Sequence, residues 1–422
     1  MKKARILLDD CFLHDSERLG HDEAIDLILE RVRRIATSEI VKLEDVPGRV
    51  IAEDLIAPKD VPSFANAAVD GYAFAHTSLR GGDTRLKVVA RIAAGQEART
   101  AIKRGEAVRI FTGAAIPEGA DTCIMQEDVA LEGDCIVVRQ GLKRGANLRK
   151  AGEDLKSGEV VVRAGETLRP QEVAAIASIG RDRVACFERL KVALISTGNE
   201  LSRPGESLGR SGVFDANYFM LRGLVATAGG RVEDYGIVAD ERNAVERVIE
   251  RATANSDVIL STGGVSRGEA DHIVRAIMER GVLHGWQIAV KPGRPLAIGQ
   301  IGDKVFLGLP GNPVAVYVTF VLYALPVFAQ LQGRIWRPPQ RYPIEAGFAF
   351  AGKKAGRREF WRGWVEHTKG GVRVKKFPRD GSGLISGLRQ ATGLIEIPEH
   401  VTDVAEGDMV AFIPFAEFGV SR

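Results

Sequence analysis

The sequence predicts a multidomain α/β protein: a central doubly wound parallel sheet with a helical N-terminal segment, an all-β insert and a C-terminal β-barrel. Three observations predict it. Apolar residues alternate between strand and helix spacing from Lys191 to about Leu331. Short β-like runs separated by glycine turns fill the stretch from Val41 to about Val162. A proline-rich linker, Arg337-Pro-Pro-Gln-Arg-Tyr-Pro343, sets off a strand-like tail that reads as a small barrel or sandwich. At ~100–200 residues per domain, 422 residues leave room for roughly two to four domains. The expected divisions are residues 1–45 with 150–185 for the helical N-terminal part, 46–149 for the insert, 186–333 for the sheet domain and 334–422 for the barrel.

Taken in order, the run from His21 places Ala24, Ile28, Val32 and Ile35 on one stripe at helical spacing. Leu86–Ile92, Ala107–Phe111 and Cys135–Val138 read as strands of the insert. Pro170–Ser178 reads as a helix closed by Gly180 and is expected to pack back on the first helix. There follow strand Val192–Ile195, helix Asn217–Ala228, strand Val232–Val238, helix Ala244–Ala252, strand Val258–Leu260 and helix Glu269–Glu279. The apolar runs Ile288–Val290 and Val305–Leu307 lead into Val314–Leu331, which carries no charge and has the length of a membrane-spanning helix. Tyr317, Thr319, Tyr323 and Pro326 interrupt it, and it starts at the Asn312-Pro313 turn of a polar loop, so a buried core helix is expected.

Composition narrows the function. With 45% hydrophobic and 27% charged residues and a net charge of +3, the chain carries too little positive charge to expect a nucleic-acid partner. Neither is a membrane expected. Four widely spaced cysteines without a C-x-x-C argue against zinc, a redox motif or a disulfide scaffold, and fit a reducing cytoplasm. No basic-then-apolar leader opens the chain, so export by a signal peptide is not expected. The seven histidines show no metal spacing and read as surface or supporting groups. Arg357-Arg-Glu-Phe-Trp-Arg362 reads as a solvated strand rather than a nucleic-acid contact.

Three glycine-punctuated loops carry the chemistry: Ser261-Thr-Gly-Gly-Val-Ser-Arg-Gly-Glu-Ala-Asp271, Lys291-Pro-Gly-Arg-Pro295 and Gly308-Leu-Pro-Gly-Asn-Pro313. Glycines let backbone N–H groups approach a ligand where a side chain would block them. The loops are expected where strands end and helices begin, the ligand crevice of a doubly wound sheet. Lys291, Arg294 and Asp271 add both signs of charge, so a phosphate-bearing ligand, a metal and a small oxyanion would all find partners there.

With these loops, Asn66-Ala-Ala-Val-Asp-Gly-Tyr-Ala73, Phe111-Thr-Gly-Ala114, Gly152-Glu-Asp154, Ser196-Thr-Gly-Asn-Glu-Leu201 and Asp380-Gly-Ser382 stand in an order that resembles the molybdopterin molybdenumtransferase family. This is the MoeA type, which includes the gephyrin E domain, and the resemblance spans essentially the whole chain. It implies a four-part subunit whose sheet domain is of the molybdopterin-binding type, a homodimer, and an active site shared between subunits. It also implies an activity: molybdenum from molybdate is ligated to adenylylated molybdopterin with Mg2+-dependent release of AMP. Implied protein partners are the molybdopterin adenylyltransferase and apo-molybdoenzymes.

The resemblance assigns catalysis to Glu200, Asp240, Asp271, Asp70 and Asp154, with Glu200, Asp240 and Asp271 toward the metal. It assigns binding to Thr112, Gly263, Gly264, Ser266, Lys291, Arg294, Pro295, Pro310, Asn312, Arg362 and Ser382; among these, Ser266, Lys291, Arg294 and Pro295 serve molybdate, and Arg362 and Ser382 complete that site. The chemistry agrees: pyrophosphate cleavage calls for a divalent cation held by carboxylates. A tetrahedral dianion calls for lysine, arginine and hydroxyl donors. Read alone, Asp271 and Asp240 could equally cap helices and Glu200 could be a solvated loop carboxylate.

Three positions depart from the family pattern. Phe64-Ala-Asn66 lacks a carboxylate at Ala65, Gly198-Asn-Glu-Leu201 lacks one at Asn199, and Gln287 replaces a lysine. Arg294, where relatives carry lysine, changes the cradle's geometry more than its charge. Two alternatives therefore stand beside the enzyme: a divergent paralogue that carries molybdopterin or acts as a scaffold, and a variant that inserts tungsten.

Overall fold

A computed structural model describes residues 19–263, 272–293 and 295–420. The central sheet comprises β1 (Lys191–Thr197), β2 (Arg231–Val238), β3 (Val258–Thr262), β4 (Val282–Gln287), β5 (Pro295–Ile301) and β6 (Lys304–Leu309), in the order β2-β1-β3-β6-β5-β4. The first four strands in that order run parallel. β5 is antiparallel to both neighbours, because only Gly302 and Asp303 separate it from β6 and so short a link returns the chain alongside itself. Sequence patterning missed β4 and β5. It also placed Ile288–Val290 as a run leading on to the core helix, whereas Val290–Lys291 pairs in parallel with Arg358–Glu359 of the barrel.

Helices cover both faces, as doubly wound sheets require. Val192 and Leu194 of β1, with Leu260 of β3, meet α1 (His21–Arg31), α3 (Ala216–Thr227) and the long apolar helix. The alternate residues Ala193, Ile195 and Ile259 meet α4 (Arg242–Asn255) and α5 (His272–Arg280). The apolar helix spans Pro313–Gln332, and 94% of its most apolar stretch is buried in the protein, which makes it a core helix. A π-helical stretch at Phe320–Ala324 runs up to Pro326, where the missing N–H and the ring would break a regular turn.

The helix α2 (Pro170–Ser178) does not pack on α1 as expected. Its buried Ile176 joins Val41, Ile51, Leu55, Val162 and Val184 in a separate small core. Meanwhile α1 is drawn to the apolar helix by Ala24 and Ile28 and by a 2.8 Å hydrogen bond between His21 Nδ1 and Tyr323 OH. His21 is thus buried, contrary to the surface reading of the histidines, and lies 5.3 Å from the Phe360 ring. Burial first, then the Arg358 charge, pushes its pKa down to about 4.

The insert is a six-stranded sheet running from Gly71 to Val138 around Phe74, Leu86, Ile110 and Ile136. The C-terminal strands β7 (Tyr342–Ala346), β8 (Arg358–Thr368), β9 (Gly371–Lys376), β10 (Gly393–Ile397) and β11 (Met409–Pro414) close as β8-β9-β7-β11-β10-β8 into a barrel. Closure buries Glu359–Arg362 and half-buries Arg357 and Arg358 rather than leaving the run solvated: Glu359 is 1% exposed and Arg362 7%. Arg358 ties the barrel to α1, donating to Asp22 at 2.9 and 2.8 Å and to Glu396 and Glu399 at 3.0 Å.

Candidate functional site

A cavity of about 580 Å³ lies between the carboxyl ends of the sheet strands and the barrel. Its sheet-side wall is a set of interlocked loops. β3 ends at Gly263, whose φ of +84° and 2.9 Å clearance from the Thr197 carbonyl exclude a side chain. The N–H of Gly263 donates to Leu309 O at 3.2 Å. Asn217 of α3 donates to Thr262 Oγ1 at 3.0 Å and Gly311 O at 2.6 Å, fixing the Pro310–Asn312 loop beside it. Pro313 then starts the apolar helix at its first turn, where a missing N–H costs nothing.

Lys291 enters from the link between β4 and β5. This glycine loop is therefore a crossing between two strands rather than a strand-to-helix turn. Gly293, at φ +98°, packs so tightly on Thr319 that a β-carbon would overlap its hydroxyl. The barrel supplies the facing wall with Trp361, Arg362, Lys376, Phe377, Asp380 and Ser382. Val314 N–H donates to Ser382 O at 2.8 Å, pinning that wall to the helix start.

The charges are arranged as braced cations. Lys291 Nζ is 3.6 Å from Glu359, which also accepts from Arg357 Nε and Trp361 Nε1 at 2.8 Å each. Arg362 donates to Leu384 O at 2.8 Å and Arg379 O at 3.0 Å and stacks on Phe377 at 4.8 Å. Gly387 makes room for it, since a β-carbon there would come within 2.9 Å of the Phe377 ring and clash with the guanidinium. Lys376 Nζ donates to Asp380 at 2.8 Å and lies 5.3 Å from the ring centres of Phe350 and Trp361. Burial pushes the Asp380 pKa up, but the Lys376 hydrogen bond and the charges of Lys376, Lys291 and Arg362 outweigh it and hold the carboxyl below its ordinary range. Burial pushes Arg362 down. Three cations face two carboxylates, one of them shared with Arg357, so the cavity is suited to an anion.

The structure gathers Gly263, Lys291, Pro310, Asn312, Arg362 and Ser382 around this cavity. Glu200 and Asp240 do not line it but sit together on neighbouring exposed loops, joined by a 3.1 Å hydrogen bond from Asp240 N to Asn199 Oδ1. The Glu200 carboxylate fills the space a side chain at Gly198 would take, 2.6 Å from that β-carbon position. The N-cap of α4 is Glu241, so Asp240 is not its cap. Asp70 accepts from Thr112 N and Oγ1 at 2.8 Å each on the insert, and these bonds hold its pKa low. Asp154 stands on an exposed turn, its N–H donating to Val61 O at 3.0 Å.

Gly264, Ser266, Asp271 and Arg294 lie outside the described residues; Pro295 opens β5, and its side chain lies outside them too. Among the described residues no three His, Cys, Asp or Glu side chains gather to hold a metal. Sequence reasoning did not single out Glu359, Lys376 or Asp380 as site residues. Asp380 stood in the quoted Asp-Gly-Ser run, whereas Glu359 and Lys376 carry no local signal, because only barrel closure turns them inward.

Comparison with known proteins covers each of these regions. Residues 19–180 match the MoeA N-terminal region (domain I and II), residues 193–330 a probable molybdopterin binding domain, and residues 345–415 the MoeA C-terminal region (domain IV). The chain is 36% identical to a molybdopterin molybdenumtransferase of Haemophilus influenzae over 398 residues, 93% of this chain and 98% of the relative. A molybdopterin molybdenumtransferase of Nostoc is 33% identical over 311 residues, 71% of each chain. Among solved structures, a molybdopterin biosynthesis MoeA protein from Pyrococcus horikoshii superposes with a TM-score of 0.81 at 30% identity, covering 94% of this chain and 100% of that one.

Proposed function

We propose, from the premise that the chain belongs to the MoeA family of molybdopterin molybdenumtransferases, that it inserts molybdenum from molybdate into adenylylated molybdopterin and releases AMP with Mg2+. The observation that carries this reading is the braced cation cavity at the strand ends, whose Lys291, Arg362 and Lys376 suit a tetrahedral dianion. In this reading Lys291 and Arg362 hold molybdate, Ser382 adds a hydroxyl, and Glu359 and Asp380 keep the cations aimed inward. Cations fixed before the substrate arrives need no reorganisation when charge moves onto the oxyanion.

Glu200 and Asp240, on neighbouring loops, offer oxygen donors of the kind Mg2+ takes, and the family resemblance adds Asp271 to them. Held there, Mg2+ would supply positive charge to neutralise phosphate oxygens.

Asp70, Thr112 and Asp154 stand apart from the cavity within one subunit, which supports a shared site in a homodimer. Half-exposed Leu208, Val213, Phe214 and Phe219 supply apolar surface for such an interface. The buried thiols of Cys123 and Cys186 suit a reducing cytoplasm. The chemistry also calls for an enzyme that adenylylates the pterin and for apo-molybdoenzymes that accept the product.

The test incubates the purified protein with adenylylated molybdopterin, Mg2+ and molybdate, and follows AMP release together with reconstitution of an apo-molybdoenzyme. Both signals are expected. Pterin binding without AMP release points instead to a carrier or scaffold, and faster release with tungstate than with molybdate to a tungsten-inserting variant.

A further inference from the structure

A second cavity, of about 460 Å³, shares no lining residue with the first. It forms where the turn at Gly165–Thr167, the linker at Arg334–Arg337 and the C-terminal turn at Ala416–Gly419 meet. Its walls are fixed at two glycines. Ile335 N–H donates to Gly165 O at 2.9 Å, and a β-carbon on Gly165 would come within 2.9 Å of the Ile335 side chain. A β-carbon on Gly419 would come equally close to Thr227. The volume falls within the range of small-molecule sites, ~300–1,000 Å³.

Arg169, Arg334 and Arg337 line it, as do Glu166, Glu172 and Glu417, so the formal charges cancel. Their pairing does not. Glu172 is held by Arg169, at 2.5 Å from Nη2 and 3.0 Å from Nε. Glu417 accepts from Gln340 N at 3.1 Å and Tyr342 OH at 3.2 Å. Glu166 accepts from the N–H of Arg163 at 3.4 Å. Each carboxylate is engaged elsewhere, and among the described residues neither Arg334 nor Arg337 has an ion-pair partner.

Arg334 is also partly buried, and burial, with no opposing carboxylate, pushes its pKa below the ordinary value. A guanidinium withdrawn from water without an anion is unfavourable, and its planar fork matches phosphate oxygens two at a time.

We propose that this cavity binds a small phosphate-bearing anion through Arg334, with Arg337 as its second cation. The site stands independently of the transferase reading, since its walls and charges belong to other segments.

The experiment is titration calorimetry of inorganic phosphate into the full-length Arg362→Gln protein, with chloride matched for ionic strength, so that the first cavity contributes little. Saturable phosphate binding is expected, weakened at least about tenfold by adding Arg334→Gln, the range of a charge-assisted contact. Arg337→Gln, a change at an exposed position, is expected to weaken it in the same direction, and circular dichroism checks the fold of each variant. Tighter binding of a nucleoside monophosphate than of phosphate assigns the site to an organic phosphate, and equal binding assigns it to the free ion; both sustain the proposal. Absence of saturable binding in Arg362→Gln, or binding that folded Arg334→Gln and Arg337→Gln variants leave unchanged, overturns it.

Discussion

Arg362 shows how a single residue becomes usable in a site. Its guanidinium is set by two carbonyls, the Phe377 face and the missing β-carbon of Gly387. Two of its five donors are spoken for by those carbonyls, which orients the fork before any ligand arrives. Arg362→Ala is expected to weaken molybdate binding by about ten- to a hundredfold, the ~1.5–3 kcal/mol of hydrogen bonds to a charged group. Equilibrium binding of molybdate checks it, with thermal melting to confirm the fold; unchanged affinity would remove the barrel from the oxyanion site. The motif match made Arg362 legible in the sequence. Glu359 and Lys376 were not, because their neighbours in sequence describe only alternating strands, and their partners are chosen by how the barrel closes and docks.

Elements differ in how far their packing can be foreseen. The apolar stripe of α1 declared a helix but not its partner, and the structure gives it to the apolar core helix and the barrel. His21 records that choice. In the unfolded chain its pKa is near 6.5, and in the folded protein it is about 4. Between those values the unfolded chain binds the proton and the folded one does not. Stability is therefore complete above pH 6.5 and falls as the pH drops toward 4, by about 1.4 kcal/mol per unit and about 3 kcal/mol in all. Chemical denaturation at pH 7.5 and pH 5 is expected to show about 2 kcal/mol of this loss in the native sequence and a smaller one in His21→Gln. Equal slopes in the two proteins would mean that another group titrates. Gly180 and Pro170 bounded α2 correctly, yet its burial went to a different core, since one buried isoleucine specifies a face and not a neighbour.

At the scale of the whole molecule, the site depends on how separate cores are joined. The parallel pairing of Val290–Lys291 with Arg358–Glu359 brings a sheet-domain lysine beside a barrel carboxylate, and Arg358 fastens the same barrel strand to α1. The candidate residues on the insert remain apart from the cavity within one subunit, so a second copy is the economical way to unite them. In the proposed homodimer, Phe219→Asp, placed in the exposed apolar patch, is expected to break the pair into monomers, read by light scattering coupled to gel filtration. Loss of AMP release should accompany the shift. A dimer unchanged by the substitution would place the interface on another face.

The sequence by itself determined what is periodic or locally constrained. Alternation at spacings of 2 and 3.6 residues declared the sheet, its covering helices, the insert and the barrel strands, because burial of one face acts on near neighbours in the chain. Glycines marked the loops, because backbone geometry there excludes a side chain. Tertiary structure alone decided the antiparallel end of the central sheet, the burial of Glu359–Arg362, the partner of α1, and the charge pairing in both cavities. These depend on contacts between segments far apart in sequence, where docking sets which carboxylate reaches which cation and leaves Arg334 with none among the described residues.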